Sequence, residues 1–449
     1  MVVHDLVIRA ETVYTSGTPR SAAVVVDGGR ITALPSVDEP VSAREEVVLA
    51  ADEVLIPGVV DSHVHVNEPG RTAWEGFASA TAAAAAGGVT TIIDMPLNSI
   101  PPTTTPEALE AKRASAEGRC LVDVGFWAGA VPENLDDLKE LQDAGVFGFK
   151  AFLSPSGVPE FGHLNHAELM KAAARIAEFD GLLIVHAEDP GVLDAAASDG
   201  TGVTDGGYDA FLASRPDEAE TVAIGRVIEA VRRSGVRAHI LHLSSAKALD
   251  ALAAARADGL PITVETCPHY LCFTPQDITA GATQFKCCPP IRSAANRDAL
   301  WQGLADGVID TIASDHSPAT AELKFAGGGD FRQAWGGISG LQVALTGVWA
   351  AAAERGLPLE KVLGWMCRAT ADLAGLPDRG RIEPGARADL VAFAPAPTVR
   401  VSAERLLHRN PVSAFDGAHV RGVVRRTWLA GQPVTSPYER PSGRLLARP

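Results

Sequence analysis

The chain has 449 residues, 46% of them hydrophobic and 21% charged, a composition typical of a globular protein with a large buried core. Its formal net charge of −16 argues against nucleic acid and anionic membranes as partners, because phosphate-rich surfaces are bound by basic proteins. No stretch suits a bilayer span, no signal-like start is present, and the six cysteines are scattered. These features predict a reduced, cytoplasmic protein.

The first fifty-odd residues show the alternation of apolar and polar residues that is typical of strands. Strands are predicted at Asp5–Ala10, Ala22–Asp27 and Gly28–Leu34. The Asp27-Gly28 pair predicts a tight hairpin, because such pairs suit the backbone angles of a two-residue turn.

The middle of the chain alternates between short apolar runs and helical stretches. The predicted strands are Val54–Val60, Val89–Met95, Leu121–Ala128, Val146–Phe152, Leu182–His186, Ala238–Leu243, Ile262–Thr266 and Ile309–Ser314. The predicted helices include Thr72–Ala86, Asn134–Ala144, Asn165–Phe179, Glu218–Ser234 and Ala246–Ala257. Eight strands alternating with helices over about 320 residues predict a (β/α)8 barrel. An open, doubly wound sheet is the competing architecture, weakened because no Gly-x-Gly-x-x-Gly follows the first strand.

Strand-like segments return near the end of the chain, at Ala388–Phe393 and Val420–Trp428. Two β-rich ends around a different middle predict one small sheet domain built from both ends of the chain.

Several of the middle strands end in residues that can bind a metal. His63 and His65 lie one residue apart, so their side chains should project from the same face of the first strand. The other candidates, on strands four, five, six and eight, are Lys150, His186, His242 and Asp315. An isolated His-x-His also suits two core histidines with hydrogen-bond partners. The strands of a (β/α)8 barrel bring their ends to one rim. Because five strands each end in a side chain that can bind a metal, the pattern favours a metal centre.

Lys150 is the unusual member of this set. A lysine in an apolar strand is costly unless it pairs or loses its charge. One interpretation is a buried amine bonded to carbonyls or to a carboxylate. The other is a lysine with a lowered pKa that reacts with carbon dioxide to form a carbamate, N6-carboxylysine, whose two oxygens can bridge two metals. The residue pattern leaves both open, and the surrounding histidines favour the carbamate.

The number of candidate ligands suggests that they are divided between two metal ions. His63, His65 and Asp315 would serve one metal, and His186 and His242 the other, with the carbamate and a water-derived hydroxide bridging both. Two metals together lower the pKa of bound water and polarise a carbonyl. Asp315 would accept the water proton and return it to a leaving nitrogen. The predicted reaction is hydrolysis of an amide-like C–N bond.

The motifs His63-Val64-His65, Gly148-Phe149-Lys150 and Ser314-Asp315-His316, with the two later histidines, resemble the cyclic amidohydrolases: dihydroorotases, hydantoinases or dihydropyrimidinases, and allantoinases. The resemblance covers nearly the whole chain. It implies a (β/α)8 barrel at residues 57–382 and a small β-sandwich domain from residues 1–56 and 383–449. It also implies carbon dioxide for lysine carboxylation, two divalent metal ions per chain, usually zinc, and a homotetramer. Manganese, cobalt and iron suit the same ligands.

Flanking residues separate the branches of that family. Dihydroorotases typically place an arginine two residues after the second histidine, where this chain has Asn67. An amide cannot replace a bidentate guanidinium for a substrate carboxylate. Hydantoinases often carry a tyrosine five residues after the lysine, where this chain has Pro155. Both branches are thereby disfavoured.

The remaining motifs resemble the allantoinase branch, which implies hydrolysis of allantoin to allantoate. They are His65-Val66-Asn67-Glu68-Pro69-Gly70-Arg71, Asp94-Met95-Pro96-Leu97-Asn98, Cys267-Pro268-His269-Tyr270, Pro289-Pro290-Ile291-Arg292 and Ala334-Trp335-Gly336-Gly337-Ile338. A hydantoinase or dihydropyrimidinase is the alternative, followed by a dihydroorotase or a non-catalytic scaffold relative.

Five residues are predicted to contact the substrate: Asn67, Asn98, Cys288, Ser317 and Gly337. Cys288 departs from the family, which usually has serine or asparagine before the Pro-Pro pair. The change is harmless if the ring is bound through the backbone there, and weakens binding if a hydroxyl is needed.

Overall fold

The computed structural model describes residues 3–198, 206–434 and 441–448. Its strands are β1 His4–Val13, β2 Arg20–Asp27, β3 Arg30–Ala33, β4 Ala43–Val48, β5 Val54–Pro57, β6 Val59–Val64, β7 Val89–Asp94, β8 Asp123–Phe126, β9 Ala128–Gly129, β10 Phe149–Phe152, β11 Leu182–His186, β12 Arg237–Ile240, β13 Ile262–Thr266, β14 Thr311–Ile312, β15 Leu390–Arg400, β16 His419–Leu429 and β17 Gln432–Pro433.

Helices separate most of the middle strands. They span Phe77–Ala86, Pro106–Ala116, Leu138–Asp143, His166–Ala177, Pro190–Ser198, Tyr208–Ala213, Asp217–Ser234, Leu249–Ala257, Pro268–Cys272, Ala294–Ala305, Ala344–Glu354, Leu359–Leu363 and Ala369–Leu373, with short turns at Ala321–Lys324 and Ala326–Gly329. None of the helices in the described ranges is both long and apolar enough to cross a membrane.

Both ends of the chain contribute to one eight-stranded sheet. Its order is β17-β16-β15-β5-β1-β2-β3, and β4 pairs with β1. Asp27 pairs with Arg30 in the antiparallel β2–β3 ladder, as the hairpin prediction requires. The buried face of this sheet packs Trp428 against strand residues such as Ile8 and Val24. Strands from both ends of the chain thus share one sheet.

The middle of the chain forms parallel strands, in a sheet of order β14-β13-β12-β11-β10-β9 and another of order β6-β7-β8. One residue, Trp127, separates β8 from β9. At the other edge, Val64 of β6 forms a parallel bridge with His316, four residues beyond β14, and the His65 N–H donates to the His316 carbonyl over 2.8 Å. The protein is therefore α/β with parallel strands, and the segments that follow β6 and β14 lie side by side.

Two predicted strands, Leu182–His186 and Ile262–Thr266, have the observed bounds. Others are shorter or interrupted. Trp127 breaks the third strand, and its indole N–H donates to the Ser62 carbonyl over 2.8 Å. The last strand is Thr311–Ile312, shorter than the predicted Ile309–Ser314. It ends there because the Ser314 N–H donates to the Asp61 carboxylate instead of to a neighbouring strand.

Two predicted helices begin later than the sequence pattern suggested. The first begins at Phe77, after Gly76 with φ 109°, and the Glu68 carboxylate accepts the Phe77 N–H over 2.9 Å. The helix predicted from Asn134 begins at Leu138, because the Asn134 side chain binds the backbone of its own turn and of Thr104. In both cases a polar side chain binds backbone groups of the first helical residue or of a turn or loop before the helix begins.

A buried ionic cluster joins the terminal sheet to the parallel strands. Arg379 lies 2.7 Å from Asp123 of β8 and 3.0 Å from Asp389, which precedes β15. Arg387 lies 3.2 Å from Asp123 and 3.1 Å from Asp389. Each carboxylate is thus shared by two guanidinium groups. Removing one guanidinium leaves two buried carboxylates with a single cation between them.

We expect Arg379→Met to lower the free energy of unfolding by about 3–5 kcal/mol, since both carboxylates lose a buried cation. The measurement is urea denaturation followed by circular dichroism. The control is Arg30→Met, which breaks an exposed ion pair with Asp378 and should cost less than about 1 kcal/mol. Equal effects of the two substitutions would contradict the prediction.

Candidate metal centre

The first group of donors gathers where β6 and β14 end. His63 and His65 come from β6 and the residue after it, and Asp315 follows β14. Asp315 Oδ1 lies 3.1 Å from His63 Nε2 and 3.5 Å from His65 Nε2. One ligand atom from each of the three side chains lies within 4.8 Å of the others, and all three side chains are buried. The tertiary fold therefore brings these three predicted ligands together.

The second group is a pair of histidines from neighbouring strands. His186 is the last residue of β11, and His242 follows β12. His186 Nδ1 lies 3.1 Å from His242 Nε2. The His242 ring lies 5.5 Å from the His63 ring, measured between centroids, so the two groups are adjacent.

Lys150 lies on β10, next to β11, and its side chain is 1% exposed. Its Nζ lies 4.6 Å from the centre of the Phe152 ring. Burial lowers the pKa of Lys150 to about 8, although Asp315 and Glu265 act in the opposite direction. A substantial share of the amine is therefore neutral near pH 8, and the neutral amine is the form that reacts with carbon dioxide.

The electrostatic environment leaves the other donors in the states that bind cations. Burial lowers the pKa of His65 to about 4 and the pKa of His242 well below its usual value. Burial alone would raise the pKa of Asp315, but the neighbouring histidines, His63 foremost, hold it well below its usual range. His65 and His242 are thus neutral imidazoles and Asp315 an ionised carboxylate at neutral pH, which are the forms that bind metal.

The donor geometry fits divalent metal. One ring nitrogen of each of His63, His65 and His242 has no hydrogen-bond partner among the residues the structure describes. Buried polar atoms are normally paired. In His63 the unpaired atom is Nε2, which faces Asp315, whereas in His65 and His242 it is Nδ1, and their Nε2 atoms face Asp315 and His186. For tetrahedral zinc with bonds of about 2.0–2.1 Å, neighbouring ligand atoms are expected roughly 3.3 Å apart. The separations of 3.1 Å and 3.5 Å in the two groups match that value.

Carboxylates that the sequence analysis did not single out hold the histidines in place. Glu265 of β13 lies 2.7 Å from His63 Nδ1, on the opposite side of the ring from Asp315. Glu188 lies 2.8 Å from His186 Nε2, which places the ring proton on Nε2 and the lone pair on Nδ1, the nitrogen that faces His242. The His186-Ala187-Glu188 spacing could have indicated Glu188, whereas only the fold places Glu265 beside His63. Such partners fix the tautomer and orientation of a ligand.

The backbone is strained at the same place. Four non-glycine residues at the site have positive φ angles: Asn67 at 65°, Asn98 at 65°, His242 at 38° and Asp315 at 43°. Such conformations are costly for residues with a Cβ and collect at functional sites, where the surrounding structure imposes them.

A cavity of about 790 Å³ opens above the donors. The six predicted ligands line it, as do Asn98, Cys288, Ser317 and Gly337. Asn67 does not line this cavity; it is buried, and its amide donates to the Pro318 carbonyl over 3.3 Å. Asn67 thus supports the segment that follows Asp315.

Ser317 and Gly337 act on the Asp315 loop. Ser317 Oγ donates to Asp315 Oδ1 over 2.8 Å. Gly337 has φ 125°, and a Cβ there would lie 2.3 Å from the Ser317 carbonyl oxygen. Only glycine fits at this position, because the two backbone segments are in close contact.

A model of the amidohydrolase family matches residues 54–434. The chain belongs to the amidohydrolase family. Among relatives, this amidohydrolase is 53% identical over 446 residues to an allantoinase of Streptomyces avermitilis, covering 99% of each chain. It is 46% identical over 384 residues to an allantoinase of Saccharomyces cerevisiae, covering 85% of this chain and 82% of the other.

Solved structures of the same family have the same fold. The L-hydantoinase (dihydropyrimidinase) of Arthrobacter aurescens matches this amidohydrolase with a TM-score of 0.94 at 30% identity, covering 99% of this chain and 100% of the other. A D-hydantoinase matches with a TM-score of 0.89 at 27% identity, covering 99% and 98%. The match extends over the terminal sheet as well as the parallel strands.

We expect Glu188→Gln to weaken divalent metal binding about 10–100-fold, because His186 loses its carboxylate partner and Arg215 is left with a neutral amide. Competition with a chromogenic chelator measures the affinity. The control is Glu229→Gln, on a partly exposed helix face. An unchanged affinity in the Glu188 variant would show that this carboxylate does not orient the ligand.

Proposed function

We propose that the protein is an allantoinase, which hydrolyses the ring amide C–N bond of allantoin to give allantoate. The reaction type rests on the convergence of the six donors at the floor of one cavity. The substrate rests on identity over the full chain to relatives named as allantoinases, 53% to the first of them. The hydantoinases matched by structure are less similar in sequence, at 27–30% identity.

The finer architecture is also a proposal. We infer that the parallel strands occupy the eight strand positions of a (β/α)8 barrel at residues 57–382. In this arrangement β8 and β9 together form one barrel strand. The parallel bridge between Val64 and His316 supports closure of the barrel between its first and last strands. The shared terminal sheet supports a small domain made from residues 1–56 and 383–449, for which a β-sandwich is the proposed form.

We propose that two divalent metal ions, zinc in the native protein, bind at this site. His63, His65 and Asp315 would hold one, and His186 and His242 the other. Lys150, as N6-carboxylysine formed with carbon dioxide, would supply the shared anionic ligand. The burial and lowered pKa of Lys150 support its carboxylation. Manganese, cobalt and iron suit the same donors.

When bound, the metals would activate water and polarise the ring carbonyl. The chain's own part in the reaction is proton transfer and orientation. Asp315 is the catalytic base: its carboxylate accepts the proton of the attacking water and returns it to the departing ring nitrogen. Ser317 donates to Asp315 Oδ1 and thereby sets the direction of that carboxylate.

The cavity wall supplies the substrate contacts in this proposal. Asn98, Cys288, Ser317 and Gly337 line it and would contact the ring or the ureido group. Asn67 would contribute indirectly, through the Pro318 carbonyl. Phe152 and Trp335 also line the cavity and would exclude water from the reacting carbonyl.

We further propose a cytoplasmic location and a homotetramer. All six cysteines are unpaired thiols, which suits a reducing compartment. The tetramer follows from the family resemblance, and sedimentation equilibrium measures it directly.

We expect Lys150→Ala to lose metal and activity together, because the shared ligand is removed. Short carboxylic acids that mimic the carbamate should restore part of both. Elemental analysis gives the metal content, and allantoate formation gives the rate. Lys171→Ala, at an exposed helix position, is the control and should keep both. Full metal content and rate in the Lys150 variant would overturn the carboxylysine model.

We expect kcat/KM for allantoin to exceed that for dihydrouracil and dihydroorotate by at least about a hundredfold, because the proposed contacts Asn98 and Ser317 suit the ureido group, which neither of the other rings carries. The measurement is a parallel rate comparison on the purified, metal-loaded protein. Faster hydrolysis of dihydrouracil would establish the hydantoinase alternative. No turnover of any ring, with less than one metal per chain, would favour a scaffold protein.

A further inference from the structure

A second cluster of metal-binding side chains lies beside the proposed centre. Cys267 and His269 follow β13, and together with Asp315 they place one ligand atom each within 4.8 Å of one another. All three side chains are buried. The proposed two-metal centre uses Asp315 but neither Cys267 nor His269.

His269 is the observation that points to a ligand. Its side chain is 1% exposed, and neither ring nitrogen has a hydrogen-bond partner among the described residues. Its ring lies against the Tyr270 ring, with 4.2 Å between centroids, which is an apolar contact. A buried imidazole with two unpaired nitrogens is rare in proteins, and a metal ion would satisfy one of them.

Asp315 can serve two cations. Its contacts with His63, His65 and Ser317 are all made by Oδ1. One carboxylate oxygen of Asp315 also lies within 4.8 Å of a ligand atom of Cys267 and of His269. A carboxylate has enough lone pairs to bind one cation through each oxygen.

The donor set and its charge select the kind of cation. One sulfur, one imidazole nitrogen and one carboxylate oxygen suit Zn²⁺ or Cd²⁺ and not Mg²⁺ or Ca²⁺. Burial, together with Glu265, Asp315 and other nearby acidic groups, raises the pKa of the Cys267 thiol. The same negative potential attracts a cation. On binding, the thiol proton passes to solvent as the sulfur–metal bond forms, without any change in oxidation state.

We propose that Cys267, His269 and Asp315 form an inhibitory site for a third, thiophilic divalent cation. Asp315 lines the cavity, whereas Cys267 and His269 lie buried behind it, so the site adjoins the substrate side through Asp315. With its carboxylate also bound to this cation, Asp315 no longer accepts a proton from water. The inhibition rests on the proposed function of Asp315, whereas the binding of the ion does not.

The test uses Cd²⁺ added to the purified, metal-loaded protein. Equilibrium dialysis counts bound cadmium, ultraviolet absorption detects the cadmium–thiolate bond, and allantoate formation gives the rate. We expect one further equivalent of cadmium, a thiolate band that saturates with it, and a parallel loss of activity. If the protein lacks allantoinase activity, the first two readouts still decide whether the site exists.

Cys267→Ser should lose the thiolate band and need at least about tenfold more Cd²⁺ for inhibition, because the soft ligand is gone. Cys120→Ser, which changes a buried thiol bonded to the Ala116 carbonyl, is the matched control and should behave as the wild type. If Cys267→Ser does not fold, His269→Gln keeps the thiol and should weaken cadmium binding to a similar degree. No thiolate band in the wild type, or an undiminished band in Cys267→Ser, would overturn the proposal.

Discussion

The structure depends on removing ionisable groups from water at the ends of parallel strands and compensating each of them. Asp315 is ionised because histidines surround it, and His65 is neutral because it is buried. Lys150 lies in the same region with a lowered pKa. One ring nitrogen of each of His63, His65 and His242 has no hydrogen-bond partner among the described residues, an arrangement that costs free energy unless a ligand satisfies it. A bound cation would offset part of that cost.

The rest of the site keeps these groups in position. Glu265 and Glu188 hold His63 and His186 by their other ring nitrogens. The backbone strain at His242 and Asp315 is imposed by the same packing, since neither residue would adopt a positive φ in isolation. This rigidity also places Cys267 and His269 beside Asp315, where they form a donor set the hydrolytic reaction does not require.

Much of the fold and of the candidate site was predictable from the sequence, for reasons that differ from one element to the next. The strands Leu182–His186 and Ile262–Thr266 are short runs rich in apolar or β-branched residues with clear ends, so their bounds were predicted correctly. The strand predicted at Ile309–Ser314 was too long, because the Asp61 carboxylate takes the Ser314 N–H, a contact between residues 253 positions apart. The role of Glu265 escaped prediction for the same reason: its partner, His63, lies 202 positions away.

The sequence by itself determined which donors exist, their order along the chain, and the alternation of strands and helices that carries them. It also pointed to a neutral substrate through Asn67. The tertiary structure decided that Asn67 contacts Pro318 instead of lining the cavity, and which atoms of the donors meet. Local patterns fix side-chain direction along one strand, but distances between strands depend on packing and on long-range hydrogen bonds. Burial, and with it the charge state of Lys150 and Asp315, exists only after the strands have assembled.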